Sequence, residues 1–208
     1  MRKIAHLTPG YIYHRTCQYL DQKRRPEDPW LPRAAINLLE QLLQPTDTGF
    51  EWGSGRSTVW LAKRIRFLYS VEHHPEWHQR VAAWLEANQI KNVNYQHHPV
   101  DEDQDGRQQS YVTAIEAVQD ASLQLVLVDG RLRDACALRA LDKLAPSGLL
   151  VVDNIERYIP TNSKSPESIG CETAPASPLW QTFLEKVIDW RKVYTTNGVE
   201  DTCIWFKP

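Results

Sequence analysis

Apolar residues recur at helical spacing between residues 34 and 44, and Pro45 ends the run. This spacing predicts a helix that leads into a short strand over residues 48–52. The same unit is then repeated, with strands predicted at 67–72 and 93–97 and helices at 58–64, 75–88 and 111–118. Because strands alternate with helices, the first half of the chain is typical of an α/β domain.

Two nearly continuous apolar runs follow, at residues 123–128 and 149–152. Such runs are typical of parallel strands that are covered on both faces. A helix is predicted between them at residues 132–144, and Pro146 to Gly148 predict a turn before the second run. With right-handed crossovers, this alternation predicts a doubly wound, Rossmann-like parallel sheet.

The end of the chain shows a different pattern. Residues 190–195 and 201–206 are strand-like runs around Asn197-Gly198, a dipeptide typical of antiparallel hairpins. The sheet is therefore predicted to be mixed. Residues 162–178 are rich in Ser, Pro, Thr and Glu without periodicity, and predict a long loop.

Composition narrows the class of protein. The chain has 24 Lys and Arg against 26 Asp and Glu, a formal net charge of −2, with no long block of either sign. We therefore expect neither nucleic acid nor a membrane as a partner. No apolar stretch has the length of a signal peptide or a bilayer span. The four cysteines form no Cys-x-x-Cys pair, which favours reduced thiols and a cytoplasmic location.

Three features fall at the carboxyl ends of predicted strands, where open α/β sheets bind ligands. The first is the turn with Gly53 and Gly55, whose backbone allows a close approach by a ligand. The second is Glu72, 21 residues after Glu51, where a carboxylate can accept hydrogen bonds from both hydroxyls of a ribose. The third is Asp129. Together they predict a nucleotide-type site.

The segment Phe50-Glu51-Trp52-Gly53-Ser54-Gly55-Arg56-Ser57-Thr58, with Ser70-Val71-Glu72-His73 and Val128-Asp129-Gly130, resembles the class I S-adenosylmethionine-dependent methyltransferases. The resemblance covers roughly residues 34–208. It implies a seven-stranded sheet with an antiparallel last strand, Glu51 near the methionine amino group and Glu72 on the ribose. Ser57 stands where a third glycine is common, and its hydroxyl either reaches the cofactor or caps the helix. The candidate cofactor-binding residues are Glu51, Trp52, Gly53, Ser54, Gly55, Ser57, Thr58, Glu72, His73 and Asp129.

A metal site is a second expectation. Asp129 ends one strand and Asp153-Asn154 end its predicted neighbour, and these oxygens suit Mg²⁺, which would activate a hydroxyl as a Lewis acid. The pattern is similar to that of catechol-type, metal-dependent O-methyltransferases, although Leu132 stands where those have a lysine. On this hypothesis Asp129 and Asp153 are catalytic. The alternative is that Asp153-Asn154 form only an Asx turn.

These observations predict an S-adenosylmethionine-dependent enzyme that methylates an oxygen of a small molecule, by proximity and orientation. We expect a homodimer, with an N-terminal extension at residues 1–33 and the methyltransferase domain at 34–208. One alternative is a methyltransferase-like module that binds a ligand or partner without catalysis. Another is an NAD-binding oxidoreductase, although Thr58 stands where that fingerprint requires glycine.

Overall fold

A computed structural model describes residues 8–101 and 103–208 of the chain. The first seven residues of the predicted N-terminal extension lie outside this part. The described chain is an α/β fold around one seven-stranded sheet, with strand order β3-β2-β1-β4-β5-β7-β6. The strands are β1 (Thr48–Trp52), β2 (Phe67–Glu72), β3 (Val93–His97), β4 (Leu123–Val128), β5 (Leu144–Asp153), β6 (Arg191–Thr196) and β7 (Asp201–Phe206).

Strand directions confirm the predicted mixed sheet. Strands β1 to β5 pair in parallel, and β7 runs antiparallel between β5 and β6. In the register of the sheet, Trp52 lies opposite Val71 on one side and opposite Val128 on the other. The residues that follow these three therefore meet at one edge of the sheet.

Seven α-helices connect and flank the strands of the described chain. They are α1 (Pro9–Arg24), α2 (Arg33–Leu42), α3 (Arg56–Ala62), α4 (Pro75–Ala87), α5 (Ser110–Thr113), α6 (Arg133–Lys143) and α7 (Pro178–Lys186). Three of them begin with proline, and the side chain just before each proline, Thr8, His74 or Ser177, accepts a hydrogen bond from a first-turn N–H group. Proline at the first position lacks the N–H group that a helix start leaves unpaired, which explains these boundaries.

The structure corrects the sequence prediction at several elements. Helices α1 and α7 were not predicted. The helix predicted at 111–118 is instead the four-residue α5 followed by a 3-10 turn, Ala114–Ala117. Strand β5 begins at Leu144 and includes the predicted turn, with an irregular register against β4 between Leu123 and Leu125. Residues 145–148 have no register partner on β4, and Ser147 has a φ of +64°, so the predicted turn is present as a bulge within the strand.

Two hydrophobic clusters cover the two faces of the sheet. On β4, Val126 and Val128 belong to one cluster, and Leu125 and Leu127 belong to the other. Successive side chains on a strand point to opposite faces, so a continuous apolar run is buried on both. Among the described helices, none is long and apolar enough to cross a membrane.

Candidate functional site

A cavity of about 470 Å³ opens at the carboxyl ends of β1, β2 and β4. It lies where the strand order reverses, with β2 on one side of β1 and β4 on the other. This position is the general ligand site of open α/β sheets. The lining residues are Trp30, Gly53, Ser54, Gly55, Arg56, Ser57, Glu72, His73, His74, Trp77, Asp129 and Gly130.

Two glycines bring the turns after β1 and β4 into contact. Gly53 has a φ of +88°, a backbone conformation that L side chains rarely adopt. A Cβ atom placed on Gly53 would lie 2.6 Å from the backbone nitrogen of Gly130. The floor of the cavity therefore consists of backbone, and glycine at position 53 allows this close approach.

Glu72 is held as an ionised carboxylate at the wall of the cavity. Its Oε2 accepts hydrogen bonds from the Ser54 backbone N–H and hydroxyl, both at 3.0 Å. Its Oε1 accepts from the backbone N–H groups of His73 and His74, both at 2.8 Å. Burial alone would raise the pKa of Glu72, but these donors and the His73 side chain outweigh it and lower the pKa to about 2.

Glu51 is fully buried in β1. Its Oε2 accepts hydrogen bonds from the hydroxyls of Thr58 (2.7 Å) and Ser70 (2.8 Å). Its Oε1 has no hydrogen-bond partner among the described residues. Burial raises the pKa of Glu51 to about 7, against the opposing effect of the hydroxyl donors. A buried oxygen without a partner is costly, so Glu51 fits a role in receiving a cationic group.

The predicted cofactor residues divide into two groups. Seven line the cavity: Gly53, Ser54, Gly55, Ser57, Glu72, His73 and Asp129. The other three, Glu51, Trp52 and Thr58, are buried and do not line it. Thr58 Oγ1 accepts the Gly55 N–H at 2.9 Å, and Trp52 Nε1 donates to the Tyr111 carbonyl at 2.8 Å. Thr58 thus secures the glycine turn from below.

Five lining residues are absent from the predicted cofactor set, although two of them, Arg56 and Gly130, lie in the segments that carry the resemblance: Trp30, Arg56, His74, Trp77 and Gly130. Trp77 Nε1 donates to the Ser54 carbonyl at 2.7 Å, which fixes the glycine turn against α4. The Arg56 guanidinium lies 5.3 Å from the centre of the Trp30 ring. His74 and Trp77 could have been found from the sequence, because His74 directly follows the Glu72 motif and Trp77 lies three residues further on. Trp30 carries no such signal.

The predicted metal ligands Asp129, Asp153 and Asn154 lie together, but Arg133 stands between them. Its Nη2 donates to Asp129 Oδ1 at 3.1 Å, and its Nη1 donates to Asn154 Oδ1 at 3.3 Å. The same guanidinium donates to the backbone carbonyls of Asp129, Gly130 and Asp153. The Arg133 side chain is 11% exposed.

This donor set does not fit a bound Mg²⁺ ion. A magnesium site needs free oxygens in near-octahedral geometry, and here two of the three side chains face a guanidinium. The third, Asp153, accepts the Thr202 hydroxyl at 2.5 Å. Within residues 8–101 and 103–208, no group of three or more His, Cys, Asp or Glu side chains is placed to hold a metal ion. The magnesium prediction is corrected accordingly, since Arg133 supplies the positive charge.

Asp129 and Asp153 both have raised pKa values. Burial raises the pKa of Asp129, and the neighbouring Asp153 carboxylate raises it further, while Arg133 opposes both effects. Burial likewise raises the pKa of Asp153. Two carboxylates that share one guanidinium hold a proton more readily than isolated ones do. Asp129 is therefore suited to accept a proton at the cavity wall.

Comparisons with known proteins agree with this geometry. The model of a methyltransferase-domain family matches residues 50–155, about half of the chain. A search of curated proteins finds no match. An rRNA methylase from Streptococcus thermophilus superposes with a TM-score of 0.55 at 13% identity, over 84% of this chain and 94% of that chain. A SAM-dependent methyltransferase from Aquifex aeolicus gives 0.53 at 13% identity, over 93% and 97%.

A further structural neighbour, a Streptococcus mutans protein assigned as a methyltransferase and crystallised with SAH, gives a TM-score of 0.54 at 14% identity, over 84% of this chain and 96% of that chain. At such identities the superpositions establish the fold, and the family model establishes the membership. The chain belongs to the methyltransferase-domain family and has the fold of the class I S-adenosylmethionine-dependent methyltransferases.

Proposed function

We propose that the protein transfers the methyl group of S-adenosylmethionine to an oxygen of a small molecule. The observation that carries the proposal is the pair of acids beside the glycine turn. Glu72 is ionised at the cavity wall, and the buried Glu51 keeps one unpartnered oxygen. A ribose and an ammonium group are the two parts of the cofactor that such carboxylates bind.

Ser54 gives the ribose a way to reach Glu72. Besides the His73 side chain, this carboxylate has three backbone N–H donors and the Ser54 hydroxyl, which can rotate. This hydroxyl also lies 2.7 Å from the Tyr95 hydroxyl, so it has a second partner available. A ribose hydroxyl can therefore replace it on Glu72 without leaving Ser54 unpaired.

The bound cofactor supplies an activated methyl group, and the chain supplies position and a proton acceptor. The backbone floor at Gly53 and Gly130 limits how the cofactor can sit, and orientation of this kind lowers the barrier to transfer. Asp129 lines the same cavity with a raised pKa, so we assign to it acceptance of the proton from the methyl-accepting hydroxyl. Arg133 holds Asp129 in place, and Asp153 raises its basicity.

A small molecule is favoured as acceptor over nucleic acid. The formal net charge of −2 provides no basic footprint for a phosphate backbone. The Arg133 guanidinium, which lies near the cavity, is already bonded to five oxygens of the chain. The homodimer, the domain boundary at residue 34 and the cytoplasmic location stay predictions.

The test begins with calorimetric titration of S-adenosylhomocysteine. We expect binding by the wild type and a loss of at least about tenfold in Glu72→Gln, since a charged acceptor becomes neutral. Glu76→Gln is the matched control, because the Glu76 side chain is 82% exposed and outside the cavity. Absence of binding by the wild type would overturn the proposal.

The second step is transfer of radiolabelled methyl from S-adenosylmethionine to a panel of hydroxylated small molecules. We expect turnover that Asp129→Asn lowers by about 100-fold or more, the range of a lost general base. Cofactor binding without turnover on any acceptor would favour the module without catalysis. Retention of NAD in place of S-adenosylhomocysteine would favour the oxidoreductase.

A further inference from the structure

Arg56 brings a positive charge into the cofactor cavity without a partner in the described chain. It begins α3 directly after Gly55, and it lines the cavity next to Ser57. Its Nη1 atom is buried and has no hydrogen-bond partner among the described residues. A buried N–H group without a partner is costly, and nearly all such groups in folded proteins are paired. Arg56 therefore fits a role in receiving an oxygen of a ligand.

The acids of the cavity wall leave this charge unpaired. Glu72 is bonded to donors of its own surroundings, and Asp129 is bonded to Arg133. The Arg133 guanidinium is the contrasting case, because it donates to five oxygens of the chain. No hydrogen bond or ion pair joins the Arg56 side chain to a residue that the structure describes. Arg56 thus stays available to an anionic group of a ligand.

Trp30 supports the Arg56 guanidinium on one side. The guanidinium carbon lies 5.3 Å from the centre of the Trp30 ring, and Trp30 lines the same cavity. The face of an aromatic ring attracts a cation, but indole offers no hydrogen-bond acceptor to the N–H groups. The contact therefore holds Arg56 in place and leaves its N–H groups to a ligand. A carboxylate suits them best, because it accepts two guanidinium N–H groups side by side.

The glycine turn holds Arg56 close to the buried Glu51. Thr58 Oγ1 accepts the N–H of Gly55, the residue before Arg56, and donates to Glu51 Oε2. One turn thus carries an unpartnered guanidinium nitrogen and an unpartnered carboxylate oxygen. An α-amino acid has an ammonium group and a carboxylate on a single carbon. The charges of the turn match this pattern.

The proposed ribose site at Glu72 lies within reach of Arg56. Ser54 donates to Glu72 and precedes Arg56 by two residues, so the Cα atoms of Ser54 and Arg56 are at most about 7 Å apart. The cavity, of about 470 Å³, has the size of a site for one small ligand. A single ligand can therefore place a ribose on Glu72 and an amino acid end beside Arg56.

We propose that Arg56 and Trp30 form a subsite for the carboxylate at the amino acid end of the cofactor. The guanidinium pairs with the carboxylate, Trp30 holds the guanidinium, and Glu51 receives the neighbouring ammonium group. Adenosine thioethers that lack the carboxylate are therefore bound weakly. This assignment rests on the proposed function. It also extends the site beyond residues 50–155, which the family model matches, because Trp30 precedes them.

The experiment compares S-adenosylhomocysteine with its decarboxylated analogue, which keeps the ammonium group and lacks the carboxylate. Dissociation constants come from calorimetric titration at pH 8, where Glu51 is mostly ionised. We expect the wild type to bind S-adenosylhomocysteine at least about tenfold tighter than the analogue, the range of hydrogen bonds between charged groups. This comparison needs no variant, so it does not depend on how a substitution affects folding.

Two variants assign the preference to the subsite. Arg56→Met should abolish it by weakening S-adenosylhomocysteine alone, and Trp30→Ala should reduce it about two- to fivefold, the value of an exposed cation–π contact. Arg64→Met is the matched control and should keep the full preference. The Arg64 guanidinium also lies over a tryptophan ring, that of Trp60, but outside the cavity.

The outcomes separate this assignment from the proposed function. Failure of the wild type to bind S-adenosylhomocysteine would count against the proposed function. Tight binding of S-adenosylhomocysteine with equal affinity for the analogue would overturn the carboxylate subsite alone. The same holds for an unchanged preference in Arg56→Met, which would also be the result if Arg56 instead received an anionic group of the methyl acceptor.

Discussion

Gly53→Ala is the substitution whose effect follows most directly from the site geometry. The added Cβ would lie 2.6 Å from the Gly130 nitrogen and 2.7 Å from the Gly130 Cα. Both atoms are backbone, so neither can rotate away as the end of a flexible side chain would. Position 53 also has a φ of +88°, which alanine adopts with strain.

The magnitude has two parts. An L residue in the left-handed region costs about 1–2 kcal/mol. Overpacking against rigid neighbours costs about 1–3 kcal/mol more. We therefore expect Gly53→Ala to lower the free energy of unfolding by about 2–5 kcal/mol. The turns after β1 and β4 must separate to make room for the alanine side chain. The affinity for S-adenosylhomocysteine should therefore fall at least about tenfold.

Gly170→Ala is the matched control. Gly170 has a φ of +81°, close to that of Gly53, but a Cβ atom there would meet no heavy atom within 4 Å. It should lose only the backbone part, about 1–2 kcal/mol, with unchanged cofactor affinity. Equilibrium unfolding in urea and calorimetric titration of both variants give the comparison. Equal destabilisation of the two variants, or unchanged cofactor affinity in Gly53→Ala, would refute the reasoning.

Three further predictions concern buried charges. Arg133→Ala removes the guanidinium that pairs with Asp129, so this variant should bind Mn²⁺ in calorimetry while the wild type does not. Binding of Mn²⁺ by the wild type would contradict this. The affinity for S-adenosylmethionine should rise as pH passes through about 7, the pKa of Glu51, because the carboxyl becomes charged. Glu51→Gln should remove this rise, and it should weaken binding about 10–100-fold at pH 8. The pKa of Glu156 in the folded protein is about 8, so the free energy of unfolding should fall as pH rises from about 4.5 to about 8. Glu156→Gln should remove this fall. In urea unfolding, the variant should be about 2–4 kcal/mol more stable than the wild type at pH 8.5 and equally stable at pH 4.5.

The strands and the residues that end them at the cavity could be predicted because their signals are local. An apolar run such as Leu123–Val128 must be buried on both faces, and a glycine turn such as Gly53 must follow a strand that ends there. Sequence order also places the carboxyl ends of parallel strands on one edge. This is why Glu72 and Asp129, far apart along the chain, were predicted at the same edge of the sheet.

Helices α1 and α7 gave weaker signals. The α1 segment has no buried residue in the structure, so its apolar positions do not follow the one-sided pattern that identifies a packed helix. Its contacts involve single side chains, such as His14 on Gly198. No periodicity reports a contact of this kind.

The sequence by itself determined the fold and the family, and it placed Glu72 and Asp129 at one edge of the sheet, since each depends on residues within one strand or turn. Only the tertiary structure decided what stands between Asp129 and Asn154. Both residues suit a magnesium ion, and nothing in the order of residues shows that the Arg133 side chain folds back across the ends of β4 and β5. That choice depends on how the start of α6 is placed over neighbouring strands, which is a property of packing.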